Sequence, residues 1–226
     1  METTPKNPQK ISQFFEKDFY ETYSWQKNEF VAGIDEVGRG CTAGPLVAAA
    51  AILKPNSTHP LLKDSKELDH KQLLQAYQWI MCNSWHAIGI CNHRLIDTIN
   101  IYQATQQVMS RALAQLYAIT PFAPARILVD AVPLHTETFD AQVLYFTKGE
   151  SKSSSIAAAS IIAKVTRDRI MDHLNTVFPR YQINNHKGYH TKSHQRALAL
   201  YGTTLIHRKS FIHESSKNDK QTTLFC

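Results

Sequence analysis

The sequence has little cysteine and no long apolar segment. Its four cysteines, Cys41, Cys82, Cys91 and Cys226, show neither CxxC spacing nor the density of a disulfide framework, which indicates a reducing compartment. The longest apolar stretch, Leu46 to Leu53, is far too short to span a bilayer, and the N-terminal residues contain no signal-peptide core. We therefore expect a soluble, cytoplasmic protein with no membrane partner.

Several common catalytic signatures are also missing. The segment GIDEVGRG (33–40) is rich in glycine, but it lacks the GK[ST] ending of a phosphate-binding loop, and its two acidic side chains would oppose a phosphate. The serines at 153–155 have no GxSxG elbow around them, so we interpret them as a helix cap. His186, His190 and His194 recur every four residues, but a glycine interrupts the helix that such a zinc-binding face needs.

Charge is distributed unevenly along the chain. Residues 1–147 carry 12 Lys and Arg against 14 Asp and Glu, whereas residues 148–226 carry 13 against 5. The basic last third suggests a nucleic-acid partner, because neutralising backbone phosphates releases condensed counterions. A basic, solvated face is the alternative that charge alone leaves open.

The hydrophobic pattern indicates an α/β domain with a mixed sheet. Two adjacent apolar strands come first, and later strands alternate with helices. We interpret residues 1–28 as an N-terminal extension, 29–212 as the catalytic domain with a helical part from about 180, and 213–226 as a flexible tail. The pattern predicts strands at 30–35, 45–53, 85–91, 126–130 and 142–147, and helices at 69–84, 102–118, 153–178 and 191–201.

Three carboxylates stand at the ends of predicted strands. Asp35 and Glu36 end one strand and Asp130 ends another, and open α/β sheets place their sites at strand carboxyl ends. Carboxylates brought together there would repel one another unless a hard divalent cation lay between them, and oxygen ligands favour Mg²⁺ or Mn²⁺ over zinc. The alternative is that all three are ordinary turn or loop residues.

A short segment next to these carboxylates, Gly38-Arg39-Gly40, is called the GRG loop below. Arginine between two glycines suggests a backbone kept bare so that a nucleic-acid strand can approach it closely. The block that contains this loop and four further blocks follow one another over residues 30–211, and together they resemble the signature of the bacterial ribonuclease HII family. The blocks are AGIDEVGRG (32–40), DSK (64–66), LVD (128–130), KGESKSSSIAAASIIAKVTRD (148–168) and HKGYHT (186–191).

The resemblance implies a ribonuclease H-like fold, with a mixed five-stranded sheet flanked by helices and a C-terminal helical segment. It implies an endonuclease that cuts the RNA strand of RNA–DNA hybrids, and cuts 5′ to single ribonucleotides in duplex DNA, leaving 5′-phosphate and 3′-hydroxyl ends. Such an enzyme would serve ribonucleotide removal and RNA primer processing. Two divalent ions, Mg²⁺ or Mn²⁺, would be its cofactors.

The family's acidic site maps onto Asp35, Glu36, Asp130 and Glu150, which would be both the catalytic residues and the metal ligands. The GRG loop would read the 2′-hydroxyl that distinguishes ribose from deoxyribose, and Tyr189 would stack on the following sugar. By motif position, further phosphate contacts are expected at Ser65, Lys66, Lys164 and Arg167, although each is also an ordinary surface position. Asp168 is expected to form a salt bridge with a neighbouring arginine.

The sequence departs from the family pattern at three positions. Glu150 stands where the family has Asp, which keeps the charge on an arm longer by one methylene. Ala131 stands where glycine usually follows the catalytic Asp, and His190 replaces a glycine in the KGYGT-like block. We expect these departures to affect substrate preference rather than the chemistry.

The last residues suggest a partner. Gln221, Leu224 and Phe225 resemble the short QxxLF peptides that dock on the bacterial sliding clamp, and an unstructured end is the alternative. Residues 1–28 are too few for the additional N-terminal domain of the sister type, ribonuclease HIII. Two other functions, a catalytically silent nucleic-acid binding module and a DNA nuclease or strand transferase, are disfavoured by the intact carboxylates and by the GRG loop with Tyr189. Nothing requires more than a monomer.

Overall fold

A single mixed sheet forms the centre of the molecule. The computed structural model describes residues 7–12, 15–135 and 139–212. Six strands of this part of the chain lie in the order β1-β6-β5-β2-β3-β4. They are β1 (Gln9–Lys10), β2 (Val31–Val37), β3 (Leu46–Leu53), β4 (Ser84–Cys91), β5 (Arg126–Asp130) and β6 (Gln142–Phe146).

Strand β2 joins the antiparallel and parallel halves of the sheet. It pairs antiparallel with β3, so that Asp35 lies opposite Ala49, and it pairs parallel with β5, so that Ile34 lies opposite Val129. Strand β6 is also parallel to β5, and Phe146 lies opposite Asp130. The carboxyl ends of β2, β5 and β6 therefore meet at one edge of the sheet.

Helices cover both faces of the sheet. Polar residues begin three of them as the sequence predicts, because their side chains accept a hydrogen bond from a free amide of the first turn. Asp69 forms a capping box with Gln72, Ser153 accepts from Ile156, and Thr191 accepts from His194. The helices are α1 (Phe19–Gln26), α2 (His70–Asn83), α3 (His93–Ile119), α4 (Ser154–Val177), α5 (Ile183–His186) and α6 (Lys192–Tyr201).

Close packing fixes the two long helices on the sheet. Helix α3 covers the face that includes Ile34 and Ile52, while α2 and α4 cover the face that includes Val47 and Leu53. A Cβ atom on Gly33 would lie 2.1 Å from the backbone of α4, so only glycine lets that helix lie against β2. Helix α4 is thereby held directly over the strand that carries Asp35 and Glu36.

The predicted ribonuclease H-like mixed sheet with C-terminal helices is confirmed, with two additions. A two-residue strand, β1, extends the five predicted strands by pairing with β6. Helix α3 begins at His93, well before the predicted Tyr102, and is broken at Asn100, whose φ is +68°. The side chain of Asn100 accepts a hydrogen bond from Gln103 N and so caps the predicted second half.

Helix α1 contacts the start of α4. Asp18 accepts hydrogen bonds from the backbone and the hydroxyl of Ser154, and the buried Glu21 accepts from Ser153 Oγ and from Ser155 N. Negative side chains are favourable at a helix N-terminus, where free amides and the helix dipole present positive charge. In the described ranges, none of the helices has the length and apolar character needed to cross a bilayer.

Candidate active site

The predicted carboxylates lie together at the sheet edge where β2, β5 and β6 end. Asp35 and Glu36 belong to the last residues of β2, and Asp130 is the last residue of β5. Glu150 lies in a 3₁₀ turn, Gly149–Ser151, that follows β6. We call these four residues the acidic cluster.

Burial and mutual repulsion disfavour ionisation within the acidic cluster. Burial raises the pKa of Asp35 well above its usual value, and the neighbouring Glu36 and Asp130 raise it further. Burial also raises the pKa of Glu36 to about 7, although Arg39, whose Nη1 lies 3.4 Å from Glu36 Oε1, opposes that rise. Carboxylates in this state bind a proton or a cation more readily than isolated ones.

Asp130 and Glu150 form the other half of the cluster. Burial is the main cause that raises the pKa of each, and the Asp130 charge adds to the effect on Glu150. The amide of Gly149 donates a 2.6 Å hydrogen bond to Asp130 Oδ1, which opposes the rise at Asp130. The charge of Asp64, from the DSK block, also raises the pKa of Glu150.

The donor set fits a hard divalent cation. Glu36 Oε2 and Glu150 Oε2 are buried and have no hydrogen-bond partner among the described residues. Buried carboxylate oxygens normally find such a partner, so these two are available as ligands. Within the same residues, no group of three or more His, Cys, Asp or Glu is arranged to hold a metal ion. The match to Mg²⁺ or Mn²⁺ therefore rests on the oxygen-only donors and not on a closed ligand geometry, and Mg²⁺ is usually held by one or two protein carboxylates together with water and substrate phosphates.

The GRG loop and Tyr189 lie side by side. Cys41, directly after the loop, forms an antiparallel β-bridge with Tyr189, and Thr42 N donates to Gly188 O over 3.0 Å. Gly40 is exposed, and a Cβ atom placed on it would meet no atom of the described residues within 4 Å. Tyr189 is 42% exposed. The two elements expected to contact the substrate therefore form one surface that is open to solvent.

Two of the expected phosphate contacts lie beside the acidic cluster. Lys66 is highly exposed, and its positive charge lowers the pKa of both Asp130 and Glu150. Ser65 is buried instead, and its hydroxyl lies 3.2 Å from that of Ser160, which hydrogen-bonds to Asp35. In this structure Ser65 supports the cluster from within rather than presenting its hydroxyl to solvent.

The expectation for Arg167 is wrong. Its side chain is fully buried, and the guanidinium donates to the backbone carbonyls of Ala43, Pro45 and Lys187, so it does not face a phosphate. Lys164 is half-buried and pairs with Asp168 over 2.9 Å. The salt bridge predicted for Asp168 thus exists, but its partner is a lysine one turn earlier rather than an arginine.

Three residues of the C-terminal segment, His207, Arg208 and Ser210, contact other elements of the fold in a way that sequence reasoning missed. Arg208 is fully buried and donates hydrogen bonds to Arg39 O and Gly44 O. His207 Nε2 lies 3.0 Å from His194 Nε2, and burial lowers the pKa of each histidine to about 4. Asp97 from α3 accepts from Ser210 N. In the sequence, His207 and Arg208 belong to a basic segment whose composition is also that of a solvent-exposed surface.

The departures from the family pattern have distinct structural settings. Ala131 has a φ of +52°, in the left-handed region where glycine is favoured, so its backbone is strained directly beside Asp130. His190 is exposed next to Tyr189. The buried Glu150 lies within the acidic cluster despite its longer side chain.

Comparisons with known proteins identify the family of the chain. A protein-family model described as Ribonuclease HII matches residues 32–214. The chain is 43% identical to a ribonuclease HII of Lactobacillus helveticus over 88% of this chain and 77% of the relative. It is 44% identical to a ribonuclease HII of Bacillus cereus over 88% of this chain and 75% of the relative.

Solved structures share the fold. The ribonuclease H2 of Pyrococcus horikoshii is 25% identical and superposes with a TM-score of 0.66 over 80% of this chain and 93% of that one. An RNase HII of Archaeoglobus fulgidus, solved in complex with PCNA, is 23% identical with a TM-score of 0.68 over 81% and 96% of the two chains. Bst-RNase HIII in complex with Mn²⁺ is 23% identical with a TM-score of 0.61 over 76% and 70%.

The protein thus combines a ribonuclease H-like fold with a carboxylate site at the expected sheet edge. Its similarity to named ribonucleases HII extends over most of the chain. Ribonucleases H depend on divalent metal ions, which agrees with the all-oxygen donor set of the acidic cluster. The chain belongs to the ribonuclease HII family, and it is a ribonuclease H, an endonucleolytic hydrolase that acts on RNA–DNA hybrids.

Proposed function

We propose that this protein cleaves phosphodiester bonds on the 5′ side of ribonucleotides, both in RNA–DNA hybrids and at single ribonucleotides in duplex DNA. The products carry 5′-phosphate and 3′-hydroxyl ends. The observation that carries the proposal is the juxtaposition of two features. In the acidic cluster, one carboxylate oxygen each of Glu36 and Glu150 has no hydrogen-bond partner among the described residues, and Arg39 of the open GRG loop contacts Glu36 directly.

The acidic cluster would hold two divalent ions, Mg²⁺ or Mn²⁺. When bound, such ions supply a nucleophile from water and stabilise charge on the leaving oxygen. Asp35, Glu36, Asp130 and Glu150 would be their ligands. Asp130 connects the two halves of the cluster, because its charge raises the pKa of Asp35 and Glu36 as well as that of Glu150. Binding of cations removes the repulsion that raises the pKa values of these carboxylates.

The GRG loop and Tyr189 would select the substrate. The bare backbone at Gly40 can approach a sugar closely, and its peptide groups can hydrogen-bond a 2′-hydroxyl, which deoxyribose lacks. The exposed ring of Tyr189 would pack against the following sugar. Lys66 and, after release from its ion pair with Asp168, Lys164 would contact phosphates of the bound strand. This selection would direct the enzyme to ribonucleotide removal and RNA primer processing in the cytoplasm, as a monomer.

Cleavage of a defined duplex tests the proposed function. The substrate is duplex DNA with one ribonucleotide, incubated with the protein in Mg²⁺, in Mn²⁺ and in EDTA. We expect cleavage with either metal, none in EDTA, and none with Asp130→Asn, which keeps the shape of the side chain but removes its charge. Equal cleavage of an all-DNA duplex by the wild-type protein would reject the proposal.

The C-terminal tail would bind a sliding clamp through Gln221, Leu224 and Phe225. These residues lie outside the part of the chain that the structure describes. Two observations support the proposal. One is the peptide pattern, and the other is that the RNase HII of Archaeoglobus fulgidus, which shares the fold of this chain, was solved in complex with PCNA. Deletion of residues 221–226 should abolish binding to the bacterial clamp while leaving cleavage of short duplexes intact. Unchanged affinity for the clamp would refute this partner.

A further inference from the structure

One buried arginine, Arg208, hydrogen-bonds to the backbone of residues 39–44, a segment that begins within the GRG loop. Arg208 Nη1 donates to Arg39 O over 2.9 Å, and its Nε and Nη2 donate to Gly44 O over 3.2 and 3.0 Å. The backbone amide of Arg208 also donates to Thr42 O over 2.8 Å. A residue 169 positions away in sequence therefore fixes three carbonyls of residues 39–44.

A second buried arginine holds the same segment from helix α4. Arg167 donates to Pro45 O over 2.9 Å and to Ala43 O over 3.1 Å. Its third hydrogen bond, 2.8 Å long, goes to Lys187 O, two residues before Tyr189. The two guanidinium groups together connect the GRG loop, residues 41–45 and the tyrosine segment into one unit.

The hydrogen-bond partners of both guanidinium groups are backbone carbonyls. Among the described residues, neither Arg167 nor Arg208 forms a salt bridge, and both are fully buried. Burial lowers the pKa of Arg208 to about 10, which still leaves it charged at neutral pH. A buried charge is unfavourable unless its donors are satisfied, and an apolar side chain would fill such a position at lower cost. The planar five-donor guanidinium offers what an apolar residue lacks, namely simultaneous hydrogen bonds to several carbonyls.

The two arginines contact only the inner side of the loop. A Cβ atom on Gly38 would lie 2.3 Å from Arg167 Nε, whereas one on Gly40 would meet nothing within 4 Å in the part of the chain that the structure describes. The inner side is thus fixed by hydrogen bonds and close packing, and the outer side is free for a ligand. A loop that must distinguish a hydroxyl from a hydrogen needs this kind of support, because selectivity is lost when donors and acceptors move by a fraction of an ångström.

We propose that Arg208, together with Arg167, is a positioning residue that sets the preference of this enzyme for ribose over deoxyribose. It acts through the backbone of the GRG loop and does not contact the substrate. The inference rests on the proposed role of that loop in reading the 2′-hydroxyl.

The test measures selectivity rather than activity alone. Full-length wild-type protein and Arg208→Lys are titrated, in EDTA so that no cleavage occurs, with two DNA duplexes that differ only by one ribonucleotide. Wild type should bind the ribonucleotide duplex more tightly than the all-DNA duplex. The ratio of these two affinities should fall about 10-fold in Arg208→Lys, which is the loss expected for one charged hydrogen bond. Affinity for the all-DNA duplex should stay within about twofold. The exposed Arg111→Lys serves as the matched control and should keep the wild-type ratio.

A milder variant covers the case in which Arg208→Lys does not fold. The ring of Phe211 lies 5.2 Å from the Arg208 guanidinium, so Phe211→Leu should loosen that group without removing it. We expect a smaller loss of the same ratio, with faster amide hydrogen exchange at residues 39–45. A purely structural role would lower stability, or both affinities equally, and leave the ratio unchanged, which would overturn the inference. So would a wild-type protein that cleaves at ribonucleotides but binds both duplexes equally. A wild-type protein that does not cleave at ribonucleotides would instead overturn the proposed function.

Discussion

Gly149 N lies 2.6 Å from Asp130 Oδ1 and donates a hydrogen bond to it. This contact connects the end of β5 to the turn after β6 and places Glu150 beside Asp130. The turn is held from its other side by helix α1, since Asp18 N donates to Lys152 O over 2.9 Å. Hydrogen bonds on both sides therefore fix the turn that carries the fourth carboxylate.

Glu150 is expected to be required in its charged form. Its Oε2 is buried and has no hydrogen-bond partner in the described part of the chain, so Glu150→Gln would keep the shape of the site and remove one anionic ligand. We expect metal-dependent cleavage to fall about 10- to 100-fold, whereas Glu150→Asp should retain most activity. Single-turnover cleavage at several Mn²⁺ concentrations measures both effects. The control is Glu67→Gln on the exposed surface, and a Glu150→Gln enzyme as active as wild type would show that Glu150 is not a ligand.

Metal-free stability should depend on pH through Glu36. Its pKa is about 7 in the folded protein against an ordinary 4.5, so the folded state keeps this proton to higher pH than the unfolded chain does. The free energy of unfolding should therefore fall as pH rises from about 4.5 to about 7. Thermal unfolding of wild type and Glu36→Gln in EDTA measures the contribution of this one carboxyl group. As pH rises from about 4.5 to about 7, the variant should become more stable relative to wild type. Mn²⁺ should reverse the loss in wild type, more strongly at higher pH. A pH-independent difference between the two proteins would contradict the assignment.

Ala131 is expected to be a site of removable strain. Its φ of +52° costs about 1–2 kcal/mol for a residue with a Cβ atom, and glycine avoids that cost at an entropic penalty of about 0.5–1 kcal/mol. Ala131→Gly should therefore raise the free energy of unfolding by up to about 1 kcal/mol, or the melting temperature by about 2–4 °C. Ala123→Gly, at an exposed loop position without a positive φ, should lower it slightly. A destabilised Ala131→Gly protein would count against strain at this position.

Asp18 is expected to stabilise the start of helix α4. It accepts from Ser154 N and Ser154 Oγ and has a φ of +63°, a conformation that Asp and Asn tolerate better than Ala. Asp18→Ala should lower the free energy of unfolding by about 2 kcal/mol, and Asp18→Asn by less than half of that. Urea denaturation provides the measurement, with the exposed Glu16→Ala as the control. Equal stabilities of wild type and Asp18→Ala would exclude this capping role.

The sequence predicted the sheet and the acidic cluster because local signals determine both. Apolar runs end at Asp35 and Asp130, and capping residues such as Asp69 and Thr191 begin helices in the structure as they do in the pattern. The family resemblance added Glu150, which periodicity alone would not have selected.

The remaining features depend on contacts between distant parts of the chain. Arg167 belongs to a helix whose charged residues suggest an exposed face, and only the packing of α4 against residues 43–45 buries it. Arg208 lies in a basic segment that is indistinguishable from a solvated surface by composition. Ser65 was expected at the surface, but its hydrogen bond to Ser160 turns it inward. Such roles arise from tertiary contacts, which local sequence patterns do not predict.

The most direct test of the central claim maps the cut at nucleotide resolution. A DNA duplex with one internal ribonucleotide, labelled at the 5′ end of the strand that carries it, is incubated with wild-type protein and Mn²⁺, and the products are separated on a denaturing gel. We predict one product that ends in a 3′-hydroxyl immediately before the ribonucleotide, and no product with Asp130→Asn. The account would be contradicted by cleavage on the 3′ side of the ribonucleotide or within all-DNA segments. It would also be contradicted if Asp130→Asn cleaved at the rate of the wild-type protein.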